Sequence, residues 1–129
     1  MFDYRTSQLT RLADIKDGTR NTIMVGEVLP YQTADSNFYM LYGGTAGVTV
    51  PLNWKTPRFP CTDNLTFGSA DWQCRFSYAS KGFKSEHTGG ANFLFGDGSV
   101  KFLKQTISPI IYAALGSKNG GEVISADQY

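Results

Sequence analysis

The stretch HTGGANFLFGDGSVKFL, residues 87–103, holds the chain's single histidine together with a Gly-Gly pair and a tight-turn sequence. His87 has Glu86 beside it and Asp97 beyond an apolar run, an imidazole–carboxylate set of the kind that serves general acid–base or nucleophilic catalysis. With Ser85 or Ser99 as nucleophile and an orienting acid, these residues would make a small hydrolase. Neither serine lies in a nucleophile elbow, the strained strand-to-helix turn that exposes a catalytic hydroxyl. The plainer reading is structural: His87 hydrogen-bonds backbone at the entrance to a hairpin, and Gly89-Gly90 permit a tight reversal or bulge.

Other residues could hold a metal. Calcium needs several oxygen ligands, which Asp97, Ser99 and Asn92, or separately Asp14, Asp17 and Asn21, would supply from loops. DGTRNT at 17–22 nevertheless lacks the alternating acids and terminal glutamate of an EF-hand loop. A transition-metal site would have to include His87. Cys61 and Cys74 fit no zinc spacing and have no second Cys or His group to complete four ligands. We expect them to form a disulfide across a polar loop, worth roughly 3 kcal/mol in the chain-entropy model, and with it an extracytoplasmic location.

Two further sets bear on function. The stretch from 31 to 78 is rich in aromatics, and Trp54, Trp72, Tyr39 and Tyr42 could stack on sugar rings as in an extracellular carbohydrate-binding module; most aromatics in a small domain are core. Glu27 and Glu122 each follow a glycine. Either carboxylate can pair with Arg20 or Lys101 or accept backbone N–H bonds, which explains a strand-borne acid without catalysis.

The scaffold for these residues is bounded by composition. At 129 residues, 41% hydrophobic and 18% charged, the chain can bury one core, and we expect a single domain over 1–129. A formal net charge of +1 with no basic cluster removes the electrostatic footprint of a nucleic-acid binder. No window approaches ~18 uninterrupted apolar residues, and MFDYR lacks the plan of a signal peptide.

Abundant glycine and aromatics favour strands joined by tight turns. LTRLADIKD at 9–17 predicts a short helix or turn ended by Asp17-Gly18, and TIMVGEVL at 22–29 predicts a buried strand closed by Pro30. Residues 39–42 and 48–50 are candidate strands in an otherwise irregular middle. Residues 91–104 predict a β-hairpin turning at Gly96–Ser99, since Gly and Asp tolerate positive φ. Ser108 before Pro109 predicts a helix over 109–115 stopped by Gly116, and a last short strand follows at 122–125.

Three blocks, LADIKDGTRNTIMVGE at 12–27, FKSEHTGGANFLFGDGSVKFLKQTIS at 83–108 and LGSKNGGEVIS at 115–125, resemble the C-terminal part of the DUF1559 family of pilin-like bacterial proteins, abundant in planctomycetes. Members usually begin with a type IV prepilin-type methylation helix. The resemblance implies a pseudopilin-like α+β head, comparable to those of type II secretion: an antiparallel sheet with a C-terminal β-hairpin, short helices and a long irregular, variable insertion at about 31–82. It implies a non-enzymatic, extracytoplasmic role through pilin-like assembly partners or surface binding, polysaccharide included. The full-length form would be membrane-anchored by its N-terminal helix. Calcium, known from related pseudopilin heads, is the one cofactor it suggests.

Overall fold

A computed structural model of the chain describes residues 11–29, 46–54, 81–122, 124, 125 and 129. Its centre is a three-stranded antiparallel sheet in the order β1-β2-β3, with β1 Ile23–Gly26, β2 Gly90–Phe95 and β3 Val100–Lys104. One helix, α1 (Pro109–Leu115), follows, and two single 3-10 turns, Leu12–Asp14 and Thr19–Asn21, precede β1. The architecture is α+β.

The hairpin β2–β3 forms where turn chemistry and strand propensity agree. Gly98 takes φ +84°, its N–H donates to Phe95 O, and Phe95 N–H closes the turn on Ser99 O at 2.9 Å. Asp97 Oδ1 accepts from both Ser99 N–H (2.9 Å) and Ser99 Oγ (2.6 Å), which fixes the turn from its side chain. The register Ala91↔Leu103, Phe93↔Lys101 and Leu94↔Val100 then sorts side chains by strand periodicity. Ala91, Phe93, Phe95 and Leu103 are buried on one face, while Val25, Leu94, Val100 and Phe102 occupy the other. Val100 and Val25 remain 66% and 54% exposed.

The core gathers on the first face. Phe93 makes edge-to-face contacts with Phe83 (5.1 Å between centroids) and with Tyr112 of α1 (6.1 Å), an arrangement favoured by the ring quadrupole. Ile23, Leu52, Leu115 and Ile124 complete it. Proline at the first turn of α1 suits a position whose N–H has no helical partner. The Ser108 side chain makes no capping bond; its carbonyl accepts from Tyr112 N–H.

Three expected strands are corrected. β1 stops at Gly26, with an irregularity between Ile23 and Val25, because beyond it the Glu27 carbonyl accepts from Lys84 N–H, so the chain leaves the sheet. Residues 48–50 form a turn and bend, and the neighbouring Gly47 makes only an isolated bridge to Gly82. Around 122–125 the described residues are not in a strand. There, side chains satisfy the backbone: Asp17 accepts from Gly120 and Gly121 N–H at 2.7 and 2.8 Å, and Asn21 Nδ2 donates to Ile124 O. The helix or turn expected at 9–17 is the 3-10 turn Leu12–Asp14. Among the described residues no helix is long and apolar enough to cross a membrane. Cys61, Cys74, Trp72, Tyr39 and Tyr42 lie outside the described residues.

Candidate functional site

The end of β1 and the entrance to β2 meet around the Glu27 carboxylate. Glu27 follows β1, and His87 sits in the loop 84–89 that leads into β2. Glu27 Oε2 accepts from Asn92 N–H at 2.7 Å, and Oε1 lies 3.2 Å from His87 Nε2. The polar side chains of Ser85 and Asn92 stand near this carboxylate and favour its ionised form. Partial burial works against its ionisation, but these polar groups and the nearby imidazole together hold Glu27 below its ordinary pKa.

Asn53 holds the same loop from its other side. Its Oδ1 accepts from Ser85 N–H at 2.8 Å, and its Nδ2 donates to Gly90 O and to Gln105 Oε1. Asn53 adopts φ +61°, a left-handed conformation that asparagine tolerates better than most residues. Ser85 Oγ in turn accepts from His87 N–H at 3.0 Å. Gly90 must lack a side chain, because a Cβ there would collide with the Leu103 carbonyl oxygen across the hairpin. The loop is therefore fixed from β1, from Asn53 and from the hairpin itself.

The walls of an open cavity of about 290 Å³ are Glu27, Val28, Leu29, Lys84, Ser85, Glu86 and His87. Lys84 is fully buried, donates from Nζ to Gly82 O at 3.3 Å, and burial lowers its pKa to about 8. His87 and Glu86 stand at the exposed side.

This arrangement reassigns the sequence candidates. His87 meets a carboxylate, but that partner is Glu27 rather than Asp97, and the His87 side chain contacts it instead of backbone. Asp97 sits at the opposite end of β2, on the order of 20 Å away at ~3.3 Å rise per residue, with Ser99 bonded to it. Ser85 does join His87, yet its Oγ accepts from the His87 backbone N–H at 3.0 Å, and it is Glu27 that the imidazole Nε2 faces. No hydrogen bond joins the Ser85 hydroxyl to the imidazole, so these residues are not arranged in the nucleophile–base–acid order of a hydrolytic triad.

The calcium candidates spend polar atoms on bonds within the chain. Asn92 lies within β2 and gives its N–H to Glu27, whereas Asp97 closes the hairpin turn. Asp17 and Asn21 hold the C-terminal segment, and Asn21 Oδ1 also accepts from Tyr129 O–H. Hydrogen bonds from Gly121 and Gly120 hold Asp17 below the usual carboxylate range, and those from Ser99 do the same for Asp97. Among the described residues, no group of three or more His, Cys, Asp or Glu is placed to hold a metal ion.

Lys101 pairs with neither glutamate. Its ammonium donates to Arg20 O and Tyr129 Oη, both at 2.8 Å, and lies 4.2 Å from the centroid of the Phe95 ring. Sequence reasoning missed Asn53 and Lys84. Asparagine after Pro51-Leu52 is a turn signal that could have drawn attention to the first, while nothing local marks a lysine for burial.

The sequence pattern of the family described as "Protein of unknown function (DUF1559)" matches residues 3–109, a span that contains β1, the loop 84–89 and the whole hairpin. No curated protein and no solved structure gives a significant match. Glu27 and His87, which the fold brings together, both lie within the matched span, and the chain belongs to the DUF1559 family.

Proposed function

We propose that this chain is the globular head of a pilin-like, extracytoplasmic protein that acts through assembly contacts or surface binding and not through catalysis. The observation that carries this reading is how the candidate chemical groups are used. Glu27, Asp97, Asp17 and Asn21 direct polar atoms to the chain's own backbone: at β2, within the hairpin turn, and at two points along the C-terminal segment. The reactive-looking His87 is engaged by the Glu27 carboxylate, and Ser85 Oγ accepts from the His87 backbone N–H, an arrangement that stabilises a loop. The outer sheet face supports a role through contact as well: Val25, Leu94, Val100 and Phe102 are apolar, and three of them are strongly exposed.

The comparison with type II secretion pseudopilins, the prepilin-type anchor and the Cys61–Cys74 disulfide belong to the same proposal. The deciding experiment is to sequence the coding DNA upstream of Met1. An in-frame prepilin cleavage site followed by a hydrophobic helix supports the reading, and an in-frame stop codon overturns it. Mass analysis with and without reductant tests location independently: a two-proton difference is expected, and free thiols after oxidative expression remove the argument from cysteine.

A further inference from the structure

We propose that Asn119 is a site of spontaneous deamidation and that Asp17 keeps it intact while the chain is folded. Asn119 is the sequence's single asparagine followed by glycine. That order matters because the attacking group is the backbone nitrogen of the next residue, and glycine leaves it unshielded and conformationally free. The Gly120 nitrogen bonds to Cγ of Asn119, and the Cγ–Nδ2 bond breaks. The side-chain amide leaves as ammonia, taking with it the proton of Gly120 N–H. Water then opens the resulting cyclic imide at either carbonyl, to aspartate or to isoaspartate.

The dipeptide is exposed, so solvent reaches it. The fold opposes the attack by position. Gly120 N–H donates to Asp17 Oδ2 at 2.7 Å and Gly121 N–H to Oδ1 at 2.8 Å, so one carboxylate grips two successive amides. On the other side of Asn119, the Lys118 carbonyl accepts from Lys16 N–H at 2.8 Å. The Asn119 N–H itself donates to Ser117 Oγ at 3.3 Å. The backbone is held on both flanks, and the Gly120 nitrogen cannot swing onto Cγ without leaving Asp17.

Electrostatics oppose it as well. The attacking nitrogen must give up its proton, and the anion so formed would face a carboxylate at hydrogen-bond distance. Hydrogen bonds from Gly121 and Gly120 hold Asp17 below the usual carboxylate range, so it is charged at neutral pH. A Cβ on Gly120 would run into the Glu122 carboxylate, which places a second acidic group beside the same peptide. Reaction therefore waits on local opening of this segment.

Either product adds a negative charge near Asp17, and isoaspartate also lengthens the main chain, so the grip on Gly120 and Gly121 weakens. The segment it releases leads to Ile124, a core residue whose carbonyl accepts from Asn21 Nδ2. Deamidation at 119 is thus a one-way step that loosens the C-terminal segment from the turns before β1. It is independent of the pilin-like reading.

The test incubates the whole chain at mildly alkaline pH and follows Asn119 by peptide mapping with mass spectrometry. Folded wild type is expected to convert roughly tenfold more slowly than the same chain in guanidinium chloride, and folded Asp17→Ala to recover most of that factor. Equal rates in folded and denatured wild type overturn the proposal. So does a folded Asp17→Ala chain no faster than wild type, or no conversion at Asn119 in denaturant. If Asp17→Ala lacks a melting transition, hydrogen exchange of wild type decides instead. The Gly120 and Gly121 amides should be protected together, and exchange at the rate of an unstructured peptide overturns the role of Asp17.

Discussion

The Glu27 carboxylate lies 3.2 Å from His87 Nε2 while also accepting the Asn92 N–H, so one acid at the end of β1 fixes both the loop before β2 and β2 itself. This pair joins two of the blocks through which the sequence resembles its family. It is the point where the order of the loop and the order of the sheet depend on each other.

Glu27→Gln should lower unfolding stability by about 1–2 kcal/mol, because an amide cannot accept all the hydrogen bonds that converge on the carboxylate. Glu27 has a folded pKa below its unfolded one, so the ionised group's contribution is complete above the unfolded value near 4.5 and is lost as pH falls through the folded value. With the side chain 35% exposed, solvent screening keeps this pH-dependent part small. Denaturant melts of wild type and variant at pH 7 and pH 3 test it: the difference between the two proteins should shrink at the lower pH.

Lys84 gives a slope of the same sign, but at alkaline pH. Burial lowers its folded pKa to about 8 from an ordinary 10.5, so between those values the unfolded chain binds more protons than the folded one. Stability from this group therefore rises with pH across that window. Thermal melts from pH 7.5 to 10.5 should show the rise in wild type, and Lys84→Met should flatten it.

Tyr112 is buried, and its hydroxyl has no hydrogen-bond partner among the described residues. Burial also raises its pKa above the usual tyrosine value. Tyr112→Phe keeps the edge-to-face contact with Phe93 and removes a desolvated donor, so stability should be unchanged or higher by up to about 1 kcal/mol. A loss greater than that in chemical denaturation would mean that the hydroxyl is satisfied after all.

Gly90→Ala should be the most damaging of these changes, at roughly 1–3 kcal/mol, since its Cβ would collide with the Leu103 carbonyl oxygen and the Phe102 ring. Gly98→Ala meets no atom and should cost only the strain of a positive φ. Comparing their melting temperatures separates steric collision from backbone strain: equal losses would contradict the register assigned to the hairpin.

What the sequence by itself determined is what short-range physics decides. Gly96-Asp97-Gly98-Ser99 between two apolar runs specifies the hairpin through its turn, and Ser108-Pro109 with Gly116 delimits α1 almost to the residue. The α+β class followed from the same local signals. TIMVGEVL overstated β1 because alternation and β-branching cannot show where a neighbouring segment, here 83–84, takes over the backbone hydrogen bonds. The last expected strand failed for a related reason, since Asp17 and Asn21 satisfy that backbone from far away along the chain.

Only the tertiary structure decided which carboxylate meets His87. Glu86 and Asp97 are its neighbours by sequence, yet β2 carries Asp97 to its far end, while antiparallel pairing of β1 with β2 brings in Glu27. Ser85 Oγ meets the His87 backbone N–H instead of the imidazole, and Asn53, from an irregular segment, is seated against the loop through Ser85 N–H. Spacing along a chain fixes torsions and turns. Distances between side chains from separate segments follow from register and packing, which no local pattern encodes.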